Sequence, residues 1–557
     1  MGQYSLILTL LVSQAVYNLA YSIPTDPSQF EPQSLTNLQK PKHQSTFSPP
    51  PNPPHRILQT PPTHTYRIDF NLDDINIFAT QNPDHTQNTE ILTKMLISVN
   101  EFVSRLVIVG MPGSVVYDNA TMTHDCDGLT FDSVNVSADI HVRVLAIKDT
   151  SNVRLFEGKG CILNGGNPLK RPQIGQLLIN FAILDSSVFK SAAMFSYLLK
   201  QTLRIIGFHR KTFDLNSMLM NTIISGEETM LIVSPKILAW ARMYYRNQEI
   251  LGVPMENSGL STERYSYFEK AYFNNELMNP SDEHDLRLSE ATLAVLEDIG
   301  FTVNHSLAQP WNYQRGNSNI FDTLCEPLSE QHCSTKFELL CNPDYTAVSK
   351  CSEPSEYARG CLMPKASDDI CTFQVDKSGT DDVSYSLQKR ALNSRCFRYL
   401  INTDASATLN AGCFQTKCTF VGMEVLINDE IYYCAYLGQK IHEESVNFDL
   451  ICPDPADFCS EYVDRCPFDC SNRGVCLKEN KCFCLYDTGS PFCCESDDCK
   501  NLISDEFSKY AQKYSTDSIS LKKGPAEFSP PDEEENMSKI YYMAYGLLIT
   551  TLFARLF

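Results

Sequence analysis

Twenty of the chain's 22 cysteines fall between Cys325 and Cys499, and this crowding constrains the fold more than any other feature. Thiols at such density are kept as disulfides in oxidising compartments, so the chain reads as a secretory-pathway product. The C-terminal third is therefore expected to be disulfide-rich and mostly irregular. Cys126 and Cys161, the only cysteines before residue 325, are expected to pair with each other.

Both ends of the chain agree with that compartment. An apolar run from Leu6 to Val12, with small residues at Ala20 and Ser22, reads as a signal peptide over residues 1–22, although no Lys or Arg precedes it. Residues 23–63 are rich in Pro, Gln, Ser and Thr, a composition that cannot bury a core, and read as a disordered or removable pro-segment. Residues 540–557 are apolar apart from Arg555 and the tyrosine hydroxyls, and follow an acidic linker over 500–539. As a helix they span about 27 Å, close to a bilayer core. A membrane span and a removable lipid-anchor signal both fit this segment. Within the folded region, Asn119, Asn135 and Asn304 lie in glycosylation sequons and are the expected sites; a fourth sequon lies at Asn536. A net charge of −21 and the lack of a long Lys/Arg cluster exclude nucleic acid or an anionic surface as the partner.

Along the chain, the alternation from Tyr66 to Leu72 predicts a half-buried strand. A helix is predicted over roughly 90–105, with strands at Leu106–Gly110 and Ile140–Ile147. A second helical pattern runs from Ser191 to Phe208. On it, Lys200 and Arg204 stand on one face a turn apart, and Gly207 is placed to end the helix. This is the layout of a zincin helix, His-Glu-x-x-His-x-x-Gly. By itself, such a helix means only core packing.

The surroundings give it meaning. The stretches Gly175–Phe181, Tyr267–Met278 and Thr292–Trp311, in this order and spacing, closely resemble the leishmanolysin family of surface metallopeptidases. The resemblance covers roughly residues 64–500. It implies an α+β fold. A zincin-like (metzincin) N-terminal domain over 64–225 would carry a twisted sheet and the active-site helix. A middle domain over 226–308 with a Met-turn would follow, then a cysteine-rich domain over 309–465. The spacing of Cys466, Cys470, Cys476, Cys482, Cys484 and Cys493 looks like an EGF-like module over 466–499, too small for a core and held by disulfides.

In that family two helix histidines and a later one, heading a His-Trp-Glu segment, bind zinc, and a methionine forms a turn beneath the metal. The resemblance places Lys200, Arg204 and Tyr267 at the three histidine positions and Gln201 at the glutamate base, while Met278, Gly207, Phe208, Glu269, Asn275 and Glu276 are retained. Charged lysine and arginine carry donors only and offer zinc no lone pair. Two like unit charges about 4 Å apart repel by about 4 kcal/mol at an effective dielectric of about 20. Gln201 cannot take a proton from water, and losing a general base costs about 10²–10⁴-fold in rate. His209 and His442 read as satisfied loop or surface histidines, and the pro-segment carries no cysteine to latch a metal. The expectation is no catalytic residues, no zinc, and a pseudopeptidase at the cell surface that acts in binding or adhesion with a protein or peptide ligand. The alternatives are an active zinc metalloendopeptidase with an unrecognised site, and a structural surface antigen. Lys200 and Arg204 are expected to be solvated in a disused cleft; pairing with carboxylates and binding of an anion are the other readings.

Overall fold

The computed structural model describes most of residues 64–493, with the longer gaps at 184–191, 322–332, 372–386 and 460–469. The signal peptide, the pro-segment, the acidic linker and the apolar C-terminus lie outside the described residues, as do Asn119, Cys126 and Cys466. Among the described residues, no helix is long and apolar enough to cross a membrane.

Mixed helix and sheet build the N-terminal part. Strands β1 (Ile68–Asn71), β2 (His124–Asp125), β3 (Ile140–Ile147), β4 (Phe156–Leu163) and β5 (Ile174–Asn180) form one sheet in the order β1-β3-β5-β4-β2. The first three in that order run parallel, and β4 and β2 add antiparallel pairs at one edge. Ile140, Val142 and Val144 of β3 are fully buried, as the period of two requires of a strand pressed against helices. Helix α1 (Asp73–Gln81) leads into α2 (Thr86–Leu106), which buries Leu92, Met95, Leu96, Val99, Phe102, Val103 and Leu106 at helical spacing. Helix α3 (Ala192–Ile206) lies against β4 and β5. It stops where the sequence predicts: Gly207 takes a positive φ of 144°, and Phe208 N donates to Leu203 O at 2.9 Å.

Next comes a three-stranded sheet of β6 (Leu219–Ile224), β7 (Glu227–Ile232) and β8 (Val253–Pro254), with helices α4 (Pro235–Tyr244) and α5 (Glu290–Asp298). Asp298, the last residue of α5, accepts from the backbone N–H of Lys236 and Ile237 and so caps the N-terminus of α4. One hydrophobic core joins residues of both regions, from Tyr66 and Leu92 through Phe268 and Met278 to Trp311.

The cysteine-rich part corrects an expectation. It is largely sheet. Strands β9 (Leu339–Cys341), β10 (Ala347–Cys351) and β11 (Pro364–Ile370) form one antiparallel sheet. A second holds six strands: β12 (Ser394–Asn402), β13 (Ala407–Thr419), β14 (Gly422–Ile427), β15 (Glu430–Cys434), β16 (Lys440–Glu443) and β17 (Phe448–Ile451). It has its own core of Phe397, Tyr399, Phe414, Val425, Tyr432 and Phe448. Charged residues interrupt the apolar alternation here, which hides the strands from a periodicity reading. Five disulfides stitch these sheets: Cys333–Cys351, Cys341–Cys396, Cys371–Cys413, Cys418–Cys459 and Cys434–Cys452.

The last described segment is a small hairpin of β18 (Gly474–Cys476) and β19 (Cys482–Cys484), held by Cys470–Cys482 and Cys484–Cys493; Cys476 is also disulfide-bonded. It folds back onto the N-terminal helices. The Phe483 ring sits 5.0 Å from Phe102 and 5.9 Å from Phe195, and Leu485 O accepts from Ser98 Oγ.

Cys371–Cys413 closes a separation of 42 residues between β11 and β13. Loop-closure entropy assigns such a cross-link about 4 kcal/mol. The double variant Cys371→Ala/Cys413→Ala is expected to lower the unfolding free energy of the six-stranded region by several kcal/mol in guanidinium titrations; an unchanged midpoint would contradict this.

Candidate functional site

The approach of α3 to β4 sets the site. A Cβ on Gly158 would lie 2.6 Å from Gln201 O, and one on Gly160 would lie 2.1 Å from Ile205 O, so the helix backbone rests directly on the strand. Gly158 N then donates to Gln201 Oε1 at 2.9 Å.

Tyr267 reaches the same place from the other side. The Arg204 guanidinium carbon lies 4.6 Å from the centre of its ring, and Lys200 Nζ lies 5.8 Å from it. Arg204 Nη1 donates to Gln201 Oε1 at 3.2 Å and pairs with Glu263 Oε1 at 3.7 Å. Glu263 also pairs with Arg154, just before β4. Lys200 Nζ donates to Ser281 O, beyond Met278. Met278 is fully buried, and its carbonyl accepts from Phe268 N at 2.9 Å. The structure thus brings Lys200, Gln201, Arg204 and Tyr267 together, with exposures of 0, 4, 2 and 5 %. The two cations are buried, and Arg204 is paired with a carboxylate. The expectation of solvated side chains in a disused cleft is corrected: the space is filled from within.

A sequence model of the leishmanolysin family (Peptidase_M8) matches residues 137–370, which hold both α3 and the Tyr267–Met278 segment. Curated relatives agree. A leishmanolysin-like peptidase of Drosophila pseudoobscura pseudoobscura is 20% identical over 289 residues, 39% of this chain and 41% of the relative. One of Caenorhabditis elegans is 22% identical over 306 residues, 41% of this chain and 46% of the relative. One of Drosophila melanogaster is 28% identical over 87 residues, 15% of this chain. Residues 137–370 are similar in sequence to the leishmanolysin family. The chain's match spans less than half the length of these relatives.

The zinc of leishmanolysins does not fit the residues gathered here. Lys200 and Arg204 are donors, the Gln201 oxygen already accepts twice, and Tyr267 offers its ring face to a guanidinium. Nor do the other histidines bring ligands to it. His209 caps the short helix Arg210–Leu215, its Nδ1 accepting from Lys211 N, and His442 Nδ1 bonds Asp449 Oδ1 at 2.6 Å. Among the described residues, the one group with metal-ligating spacing is Cys470, Cys482 and Cys493, whose sulfurs are in disulfides and supply no thiolate.

The remaining named positions lie apart. Asn135 is exposed on a strand, and Asn304 Oδ1 accepts from Ser306 N and Oγ. Cys161 is disulfide-bonded. Sequence reasoning missed Arg154, Gly158, Glu263 and Ser281, none of which stands in a motif.

It named Glu269 and Glu276 as retained but missed the second polar centre beside Tyr267. Glu269 and Glu256 are both buried and close enough for their charges to be coupled. Burial pushes both up, and the neighbouring Glu256 charge adds to the rise at Glu269. Arg359 of the cysteine-rich part donates from Nε to Glu269 Oε2 at 3.0 Å and from Nη2 to Thr229 Oγ1 at 3.0 Å. Nearby in sequence, Glu276 is pushed up to about 7 by burial, although Thr292, Ser289 and the backbone of Met278 donate to it.

The folded chain holds these protons more tightly than the unfolded chain. Their contribution to stability is intact below the ordinary carboxyl value and is lost as the pH rises through about 7. The unfolding free energy is therefore expected to fall between about pH 5.5 and about pH 8.5. Glu256→Gln, which removes one member of the carboxyl pair, is expected to match wild type at the lower pH and exceed it at the higher, as read by urea titration. A Glu256→Gln variant with the wild-type pH slope would refute the coupling of the two buried carboxyls.

Proposed function

We propose that this chain is a cell-surface pseudopeptidase: a leishmanolysin-family protein with a metzincin body that acts in binding or adhesion rather than proteolysis. The observation that carries the reading is the Arg204 guanidinium, stacked on Tyr267 and paired with Glu263 beside Gln201. A buried cation lies where the family's chemistry requires a lone pair, and the neighbouring amide cannot act as a base. The described disulfides fit an oxidising, extracellular setting. In this reading Asn135 and Asn304 carry glycans, the C-terminal segment anchors the chain to the membrane, and the ligand is a protein or peptide. The Cys470–Cys493 hairpin is read as EGF-like because its two described disulfides pair alternating and then adjacent cysteines of the six.

The test is zinc content and proteolysis in one preparation. The full chain, purified from a secretory host without chelator, is expected to carry zinc near zero by elemental analysis and to leave casein intact. A zinc content near one per chain with chelator-sensitive cleavage of casein would establish an active metalloendopeptidase instead. Specific capture of a ligand would separate a binding protein from a purely structural surface antigen.

A further inference from the structure

We infer that the residues at the degenerate positions form a metal-free clamp, which ties α3 to the 256–281 segment as a shared metal ion would. The inference rests on the metal-free reading above.

Three separate parts of the chain meet at one carboxylate. Arg204 comes from α3, Arg154 from the approach to β4, and Glu263 from the segment that leads to Tyr267. Glu263 is 7 % exposed and Arg204 2 %, so their ion pair is screened little by water. One group thus works in two directions: Nη1 faces Glu263 and Gln201, while the guanidinium carbon lies 4.6 Å from the centre of the Tyr267 ring. Arg204 Nε is buried without a hydrogen-bond partner among the described residues. The group is held at Nη1 and by the Tyr267 ring.

One turn back on the same helix face, Lys200 makes the second tie. Its ammonium donates to Ser281 O and lies by the same ring. Two cations one turn apart therefore both lie by Tyr267, one paired with Glu263 and the other bonded to Ser281. The clamp spans the positions that three histidines and a metal occupy in the family.

Removing one member of a buried ion pair leaves the other uncompensated, so the members must be energetically coupled. A double-mutant cycle on the full chain reads this coupling. Arg204→Met and Glu263→Gln are each expected to lower the melting temperature by about 5 °C or more. The double variant is expected to lower it by less than the two drops added together. Arg204→Met is also expected to speed amide hydrogen exchange across Tyr267–Met278 while leaving α2 unchanged, which a loss confined to α3 would not do. If Arg204→Met does not fold, the cycle is run with Arg154→Met, whose side chain is partly exposed and shares the same carboxylate. Additive drops, or singles without effect, overturn the clamp. A separate arm adds EDTA to wild type. An unchanged melting temperature is expected, and a drop would overturn the metal-free reading itself, whatever the cycle shows.

Discussion

The contact between α3 and β4 decides what the rest of the site can be. Two glycines on the strand let the helix backbone come within direct touch of it, at a distance no side chain on Gly158 or Gly160 would permit. The contact fixes the helix in translation and rotation. Lys200, Gln201 and Arg204 then project from one turn of a helix that has no freedom to slide. The Gln201 oxygen adds a hydrogen bond to Gly158 N, so the residue at the base position serves the packing of the helix on the sheet.

With that geometry held, the two buried cations impose a requirement. A dication surrounded by neutral imidazoles draws its coordination from lone pairs, whereas Lys200 and Arg204 bring charge and need acceptors. Buried charge without partners costs several kcal/mol. The structure meets the requirement with what lies nearest: a carboxylate at Glu263, a carbonyl at Ser281 and the face of Tyr267. Tyr267 is the informative member. A histidine there would add a further potential cation; a phenol ring offers its negative face to both neighbours. Lys200, Gln201, Arg204 and Tyr267 thus form one mutually contacting set.

Much of this was legible in the sequence, and the limits have physical causes. Helix α3 and its stop at Gly207 followed from apolar periodicity and a glycine. The strand β3 was legible because Ile140, Val142 and Val144 alternate without interruption. The long helix α2 extends a turn further at its start than the predicted span, because polar Thr86 and Gln87 sit on its open side. The six-stranded sheet was missed because residues such as Arg395, Arg398 and Lys417 break its alternation, and its cysteines drew attention to disulfides before strands. At the site, the four replaced positions were visible because spacing along one helix is local information. Glu263 and Arg154 were invisible because a salt bridge between segments 109 residues apart leaves no local pattern. The expected solvation of Lys200 and Arg204 failed for the same reason: burial depends on what folds over a side chain, and those residues lie elsewhere in the chain.

The small C-terminal hairpin bears on where a ligand can bind. Val475, Leu477, Phe483 and Leu485 belong to the main core, and the Phe483 ring packs against both Phe102 of α2 and Phe195 of α3, which also touch each other. These apolar side chains are spent on the body of the protein, with Arg105 stacked on the same ring. A module docked in this way adds stability to α2 and α3 and has no apolar face left in the described hairpin for a partner. The site helix is thus held at both ends: by the clamp near Arg204 and by the hairpin near Phe195. Lys200, Gln201, Arg204 and Tyr267, each at most 5 % exposed, present almost no surface to a partner, so at these positions α3 serves the packing of the fold.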